Sequence, residues 1–341
     1  MNKFKLFLLL SVTLIIMISC NGNSVKPYTE TSFAMGTVCS ITLYEKNDDF
    51  CFDDVFSIIK EIEKKMSPVI LNSEVSAINS HAAIKPVKVS KDTYYVIKEG
   101  IKYTNLPESR FDITIGPLVS LWGIGTEKQN IPEPNLIKEV LPLIGSQYIK
   151  LKDTNRSIFL ENKSMAIDLG GIAKGYASDI VRDFLIEEGF TKGIINLGGN
   201  VLTFGLKAPG TLWKIGIQNP VNSRGNYIGT LEIEESAVVT SGIYERYFEV
   251  DGKRYHHILD PATGYPVNNN LLSITIVTPS GIEADAWSTL AFSAGLVKGL
   301  ELLELAENIE GIFITKNKKI YVSSGLKDSF NLISTDFTLA Y

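Results

Sequence analysis

Between Ile194 and Val277 the chain breaks into short strand-like runs, and this density of strands constrains the fold more than any other feature of the 341 residues. The runs cover 194–197, 201–204, 213–218, 228–233, 238–241, 247–250 and 273–277, with Asp251-Gly252 as a hairpin turn before Tyr255. Upstream, 53–65 reads as an amphipathic helix, with Val55, Ile58, Ile59 and Ile62 on one face and Asp54, Lys60, Glu61 and Lys64 on the other. Ser90 opens a second helix through 103, with Tyr94, Ile97 and Ile101 at helical spacing. Residues 165–169 read as a buried strand, Gly170-Gly171 as a tight turn and 173–188 as a helix closed by Gly189. A small-residue helix over 282–294, another over 300–308 and a hairpin at 311–323 complete the pattern. The class these elements predict is α+β, with mixed, mostly antiparallel sheet and helices packed on its faces.

The N-terminus is set apart from that fold. Lys3 and Lys5 precede an apolar run at 6–18, too short to span a bilayer comfortably and of the length of a secretory signal. The run ends Met17-Ile18-Ser19-Cys20, which resembles a bacterial lipoprotein signal, where the cysteine is lipidated and becomes the mature N-terminus. Met17 stands where Leu is usual. This reading divides the chain into a signal peptide at 1–19, a lipidated N-terminus and tether at 20–28 and one domain at 29–341, membrane-anchored and facing the periplasm. A plain export signal with an incidental cysteine is the alternative.

Thirty-three basic and 38 acidic residues give a net charge of −5, and the absence of a dense Lys/Arg block argues against a nucleic-acid surface. Lys316, Lys318 and Lys319 read as a solvated hairpin turn. Cys39 and Cys51 have two readings, a disulfide in an oxidising compartment or a packed Cys39 within the strand-like 37–43. With only His81, His256 and His257 beside these cysteines, the sequence offers no Cys/His zinc spacing.

Four stretches bear on chemistry. In Asp168-Leu169-Gly170-Gly171-Ile172-Ala173-Lys174-Gly175, a glycine turn runs into a helix, where backbone N–H groups and the helix dipole favour phosphate and Lys174 adds charge. A structural turn would look the same. Asp285 and Thr289, four apart on a helix, put a carboxylate and a hydroxyl on one face, a hard-oxygen pair suited to Mg²⁺ or to capping the helix itself. In Arg254-Tyr255-His256-His257 and the following Pro261, Gly264 and Pro266, a rigid loop follows a histidine fit for a general base, or for packing. Trp122 near Asp112 in the 110–123 segment suits a flat heteroaromatic ligand, or a core.

Taken in order, these segments resemble the ApbE family, the exported FAD:protein FMN transferases. The resemblance rests on Met35-Gly36-Thr37, Met66-Ser67 with Ser73-Glu74 and Ser76, the segments 112–123 and 168–175, Asn196-Leu197-Gly198-Gly199-Asn200, Thr240-Ser241-Gly242 with Tyr244-Glu245-Arg246, 257–266, and Ala284-Asp285 with Thr289. It implies an ApbE-like, T-fold-like architecture. It also implies that Met35, Asp112, Asp168, Lys174 and Leu259 grip FAD, and that the Gly171 carbonyl, Asp285 and Thr289 hold Mg²⁺ at the diphosphate. The implied reaction splits FAD between its phosphates and joins FMN through a phosphoester to a Thr or Ser of a partner redox protein, releasing AMP. His257 would activate that hydroxyl, with Lys174 and Asp285 completing the catalytic set.

One departure is Pro68-Val69-Ile70 after Met66-Ser67, where relatives usually carry an aromatic or polar residue. That neighbourhood bears on whether water replaces the acceptor, which would make the protein an FAD pyrophosphatase yielding FMN and AMP. A flavin-storing lipoprotein without turnover is the third reading. No Asp-Gly-x-Thr-type acceptor segment occurs in the chain, so the modified hydroxyl belongs to another protein.

Overall fold

Successive side chains along a strand point to opposite faces, and in the central strands of this protein both faces are apolar. Val239, Ile274, Ile276 and Phe313 enter one buried cluster, while Val238, Val277, Ile312 and Ile314 enter another. The protein, a computed structural model describing residues 26–207, 210–223 and 225–340, is therefore organised around a sheet covered on both sides. The signal segment, Cys20 and the tether through residue 25 lie outside the described residues.

The described chain opens with the hairpin β1 (Tyr28–Ala34) and β2 (Thr37–Leu43), then α1 (Phe52–Met66) and α2 (Glu74–Ser80). The short β3 (Val87–Lys88) leads to α3 (Lys91–Thr104), α4 (Gly116–Trp122), α5 (Pro134–Val140), β4 (Ile149–Lys152) and β5 (Ser157–Leu160). After α6 (Ala173–Glu187) come β6 (Gly193–Leu197), β7 (Asn200–Phe204), β8 (Trp213–Gln218), β9 (Tyr227–Ile233) and β10 (Ala237–Gly242). The hairpin β11 (Tyr247–Val250) and β12 (Lys253–His256) precedes β13 (Leu271–Thr278), α7 (Gly281–Ala294) and α8 (Leu296–Leu305). The last strands are β14 (Glu310–Thr315), β15 (Lys319–Val322), β16 (Phe330–Leu332) and β17 (Thr338–Leu339).

Nine strands form the main sheet in the order β1-β2-β6-β7-β10-β13-β14-β15-β17. Only the β15–β17 pair is parallel; the others are antiparallel, as the α+β expectation requires. Helices α1, α6 and α7 cover one face. The sheet β16-β9-β8 covers the other, through Trp213, Ile217 and Leu231.

Helix α7 is buried nearly all round, which explains its run of small residues. Its closest neighbour is α6, and their contact is built on glycine: a Cβ on Gly175 would stand 2.1 Å from the Gly281 carbonyl oxygen and 2.7 Å from the Asp285 Cβ. Asp179 of α6 fixes the same junction, its carboxylate accepting from the Gly281 N–H at 2.8 Å and the Ile282 N–H at 2.9 Å. Gly175→Ala should therefore destabilise the protein by about 3 kcal/mol, because the methyl meets backbone rather than a movable side chain. Chemical denaturation of the variant checks this, and a loss below about 1 kcal/mol would contradict the contact.

Several sequence expectations need correction. The 110–123 segment turns helical at Gly116, with Pro117 in the first turn, where its missing N–H costs nothing. Residues 165–169 form no strand, only a single bridge between Ile115 and Ala166. The helix expected over 300–308 starts earlier, at Leu296, and ends at Leu305. Cys39 and Cys51 are both free thiols; Cys39 is buried and its thiol reaches the Ala34 carbonyl. The hairpin at 311–323 is present, but Lys316 turns back and donates to the Asn269 carbonyl at 2.7 Å. No helix among the described residues is long and apolar enough to cross a membrane.

Candidate active site

The glycine turn before α6 differs from the row of free amides that its sequence suggests. The Gly170 N–H donates to the Asp168 carboxylate at 2.7 Å, and the Ile172 and Ala173 amides both reach the Leu169 carbonyl. In a continuing helix the Gly175 N–H would close on the carbonyl four residues back, at Gly171. Instead it donates to Asp285 Oδ2 at 3.0 Å. Asp285 thus places a buried carboxylate at the positive end of α6, which the helix dipole favours. The same exchange leaves the Gly171 carbonyl without a donor among the described residues.

Thr289 lies one turn beyond Asp285 on α7, and its hydroxyl has no hydrogen-bond partner among the described residues. It stands beside Gly171, 3.4 Å from where a Cβ on that glycine would be. Among the described residues the Lys174 ammonium, at 3.7 Å, is the one charged partner of Asp285 Oδ1, and Lys174 also reaches the Gly170 carbonyl at 3.4 Å. One carboxylate, one hydroxyl and one carbonyl therefore lie at the α6–α7 junction, all with oxygen lone pairs to offer. That donor set fits a hard cation such as Mg²⁺, which takes few protein ligands. No group of three or more His, Cys, Asp or Glu suited to a metal occurs among the described residues.

The other expected residues surround this centre. The Asp168 N–H donates to the Ile113 carbonyl at 2.8 Å, which joins the Asp168 and Asp112 segments. Burial pushes the Asp112 carboxyl up from its ordinary value, opposed by bonds from the Thr114 N–H at 2.8 Å and hydroxyl at 2.6 Å. Met35 sits at the β1–β2 turn with φ of 52°. The Asn196–Asn200 turn packs against that turn, since a Cβ on Gly198 would lie 2.2 Å from the Thr37 hydroxyl. The Leu259 side chain is core, packed with Leu118, Trp122 and Ile137, so only its backbone is left for a ligand.

Trp122 does not face a ligand either. It is fully buried, its indole N–H donates to the Gly264 carbonyl at 2.8 Å, and its ring lies against Tyr255 and Tyr265. Together with the Arg110–Asp260 ion pair, it clamps the 257–266 loop to the segment carrying Asp112. That ion pair and Asp179 are the positioning residues that the sequence reading missed. Each acts on a partner about 100 or more residues away, and no local spacing announces such a partner.

The two histidines fall on opposite faces of the hairpin end. His257 is half-buried, and its backbone N–H and ring Nδ1 both lie within hydrogen-bond reach of the Arg246 carbonyl, at 3.1 and 3.2 Å. A carbonyl only accepts, so Nδ1 carries the proton and Nε2 is left as a base. Burial, and then the Arg246 charge, push the His257 pKa down to about 3, so the ring is neutral across the physiological range.

His256 pairs across the hairpin with Tyr247, donates from Nε2 to the Val267 carbonyl at 2.9 Å and packs edge-on against Phe292. It is structural, and burial pushes its pKa down to about 4. The unfolded chain takes up this proton near pH 6.5 and the folded one only near 4, so stability falls as pH drops through that window. The full loss is on the order of 3 kcal/mol. Urea melts of wild type and His256→Gln at pH 7 and pH 4.5 check it: the variant should lose about half of the histidine-linked acid sensitivity, His257 carrying the rest, and an unchanged slope would rule it out.

The chain is similar to known proteins over most of its length. A sequence profile of the ApbE family matches residues 35–313. The FAD:protein FMN transferase of Klebsiella pneumoniae (strain 342) is 39% identical over 310 residues, covering 91% of this chain and 96% of its own length. The crystal structure of the ApbE protein from Thermotoga maritima matches with a TM-score of 0.82 at 33% identity, over 89% of this chain and 99% of its own. The flavin transferase ApbE from Vibrio cholerae matches with a TM-score of 0.79 at 30% identity, over the same shares of the two chains.

Proposed function

The chain belongs to the ApbE family and works as an FAD:protein FMN transferase, and from that premise we propose which of its residues split FAD and move FMN to an acceptor hydroxyl. The observation that carries the assignment is the placing of the Gly171 carbonyl, the Thr289 hydroxyl and Asp285 Oδ1 at one junction, none of them engaged by a hydrogen bond among the described residues. These three would hold Mg²⁺. When bound, the cation neutralises the diphosphate and the charge gathering on the departing AMP phosphate.

The chain's own groups do the rest. Lys174, next to Asp285, supplies a positive charge on the side of the leaving phosphate. Met35, Asp112, Asp168 and the Leu259 backbone bind FAD around the glycine turn. His257 Nε2 accepts the proton of the attacking Thr or Ser hydroxyl, and the hydrogen bond at Nδ1 holds the ring in the tautomer that can do so. The acceptor is a Thr or Ser of an exported or membrane redox protein, and the enzyme reaches it from a lipid anchor at Cys20 on the periplasmic side. The signal-like 1–19 segment supports that placement.

Incubating the mature protein with FAD, Mg²⁺ and a Thr-bearing acceptor tests the reading. Flavin that stays on the acceptor through denaturation, with one AMP released per flavin, is the expected result. AMP with free FMN alone would make the protein a pyrophosphatase. FAD bound and unchanged would make it a flavin store.

A further inference from the structure

Arg246 is a cation beside the reaction centre to which nothing above gives a side-chain role. It immediately precedes β11, and the register of the hairpin puts Tyr247 opposite His256 and Phe248 opposite Tyr255. One step outward, Arg246 and His257 face each other, joined by the backbone hydrogen bond at 3.1 Å. The side-chain stem of Arg246 lies over Gly125, where φ is +83° and an added Cβ would stand 3.3 Å from the Arg246 Cδ. The bare glycine is thus a seat for this side chain.

The guanidinium itself is unengaged. Arg110, Arg182 and Arg254 are each paired with a carboxylate, whereas no acid or hydrogen-bond acceptor holds Arg246 among the described residues. Arg246 is exposed, and both its charge and that of Lys174 act on the His257 ring. Two cations therefore act on one neutral base, Lys174 beside Asp285 and Arg246 beside His257 in the hairpin. An arrangement of this kind gains stabilisation when a multiply charged anion binds within reach of both.

We propose that Arg246 grips the non-bridging oxygens of the phosphate that is transferred with FMN, a role that rests on the transferase reading above. In the step it serves, the acceptor oxygen bonds to the FMN phosphorus while the bond from that phosphorus to the bridging oxygen breaks. The electron pair leaves with AMP, and the hydroxyl proton passes to His257 Nε2. Negative charge persists on the FMN phosphoryl oxygens throughout, and the planar fork of a guanidinium can hold two of them at once. Arg246 and Lys174 then divide the diphosphate, one on the group that stays and one on the group that departs.

Three variants and two measurements test the assignment. Arg246→Gln should lower kcat/KM for FMN transfer about 100-fold, with Arg246→Lys intermediate because it keeps the charge and loses the fork. Added guanidinium ion should restore Arg246→Ala at least tenfold, which a residue with a purely structural role would not permit. Calorimetric titration with inorganic pyrophosphate in the absence of metal should show about tenfold weaker binding to Arg246→Gln than to wild type. Unchanged pyrophosphate affinity would overturn the proposal. So would a fall in transfer of less than threefold, or a fall that neither guanidinium nor lysine relieves. If wild type itself forms no covalent flavin, the transferase reading fails, while the pyrophosphate comparison still decides the role of Arg246.

Discussion

Asp285→Asn is expected to reduce FMN transfer by a factor of about 1,000 or more, corresponding to about 4 kcal/mol of lost transition-state stabilisation. The substitution is chosen because it separates charge from structure. An asparagine carbonyl still accepts the Gly175 N–H that Asp285 now holds at 3.0 Å, so the α6–α7 junction keeps its bond. What disappears is the only carboxylate in the oxygen cluster with Gly171 and Thr289, and with it the partner of Lys174. Thermal melting should shift by only a few degrees, since the Gly175 bond is kept and the Lys174 ammonium, about a quarter exposed, still reaches water and the Gly170 carbonyl. AMP release with and without EDTA gives the second arm. Activity within tenfold of wild type in the variant, or full wild-type activity in EDTA, would remove the metal assignment.

His257→Ala should slow transfer by about 1,000-fold, within the range a general base supplies, with FAD binding retained. Its pH dependence carries more information than its magnitude. In the free enzyme the imidazole stays unprotonated down to about pH 3, so kcat/KM should show no histidine inflection near pH 6.5. Once a negatively charged diphosphate is bound nearby, the protonated ring is favoured and its pKa rises. The inflection in kcat should accordingly appear at higher pH than any in kcat/KM. Coincident profiles, or an inflection in kcat/KM at the ordinary histidine value, would take His257 out of the role.

The parts of this protein legible in its sequence are those governed by neighbours in the chain. Helix α1 follows from its apolar stripe, α3 from Ser90 accepting the Thr93 N–H, α6 from the left-handed Gly189 beyond its end and the β11–β12 turn from Asp251-Gly252. Asp285 and Thr289 could be paired because four residues of helix stack them. What stayed hidden depends on partners remote in sequence. The 165–169 segment is apolar enough for a strand, yet it finds one bridge to Ile115 because the Asn79 side chain takes both the Ile167 N–H and the Ile167 carbonyl. Gly116-Pro117 reads as an interruption of a strand, but the same pair starts a helix once Trp122 has the Gly264 carbonyl to bond. The glycine turn suggests anion-binding amides, and the decisive fact, that Asp285 takes the Gly175 amide and so releases the Gly171 carbonyl, joins groups 110 residues apart.

The near-complete burial of α7 limits how this enzyme can change by single steps, in evolution or in the laboratory. A side chain on a helix with no free face is matched to neighbours on every side, so enlarging or shrinking it requires a compensating exchange elsewhere, often on α6 or β13. Variation that alters acceptor preference therefore has an easier route through the solvent-facing hairpin after Arg246 and the loop around Gly125. Libraries aimed there should retain soluble, flavin-binding protein at far higher frequency than libraries aimed at the helix bearing Asp285.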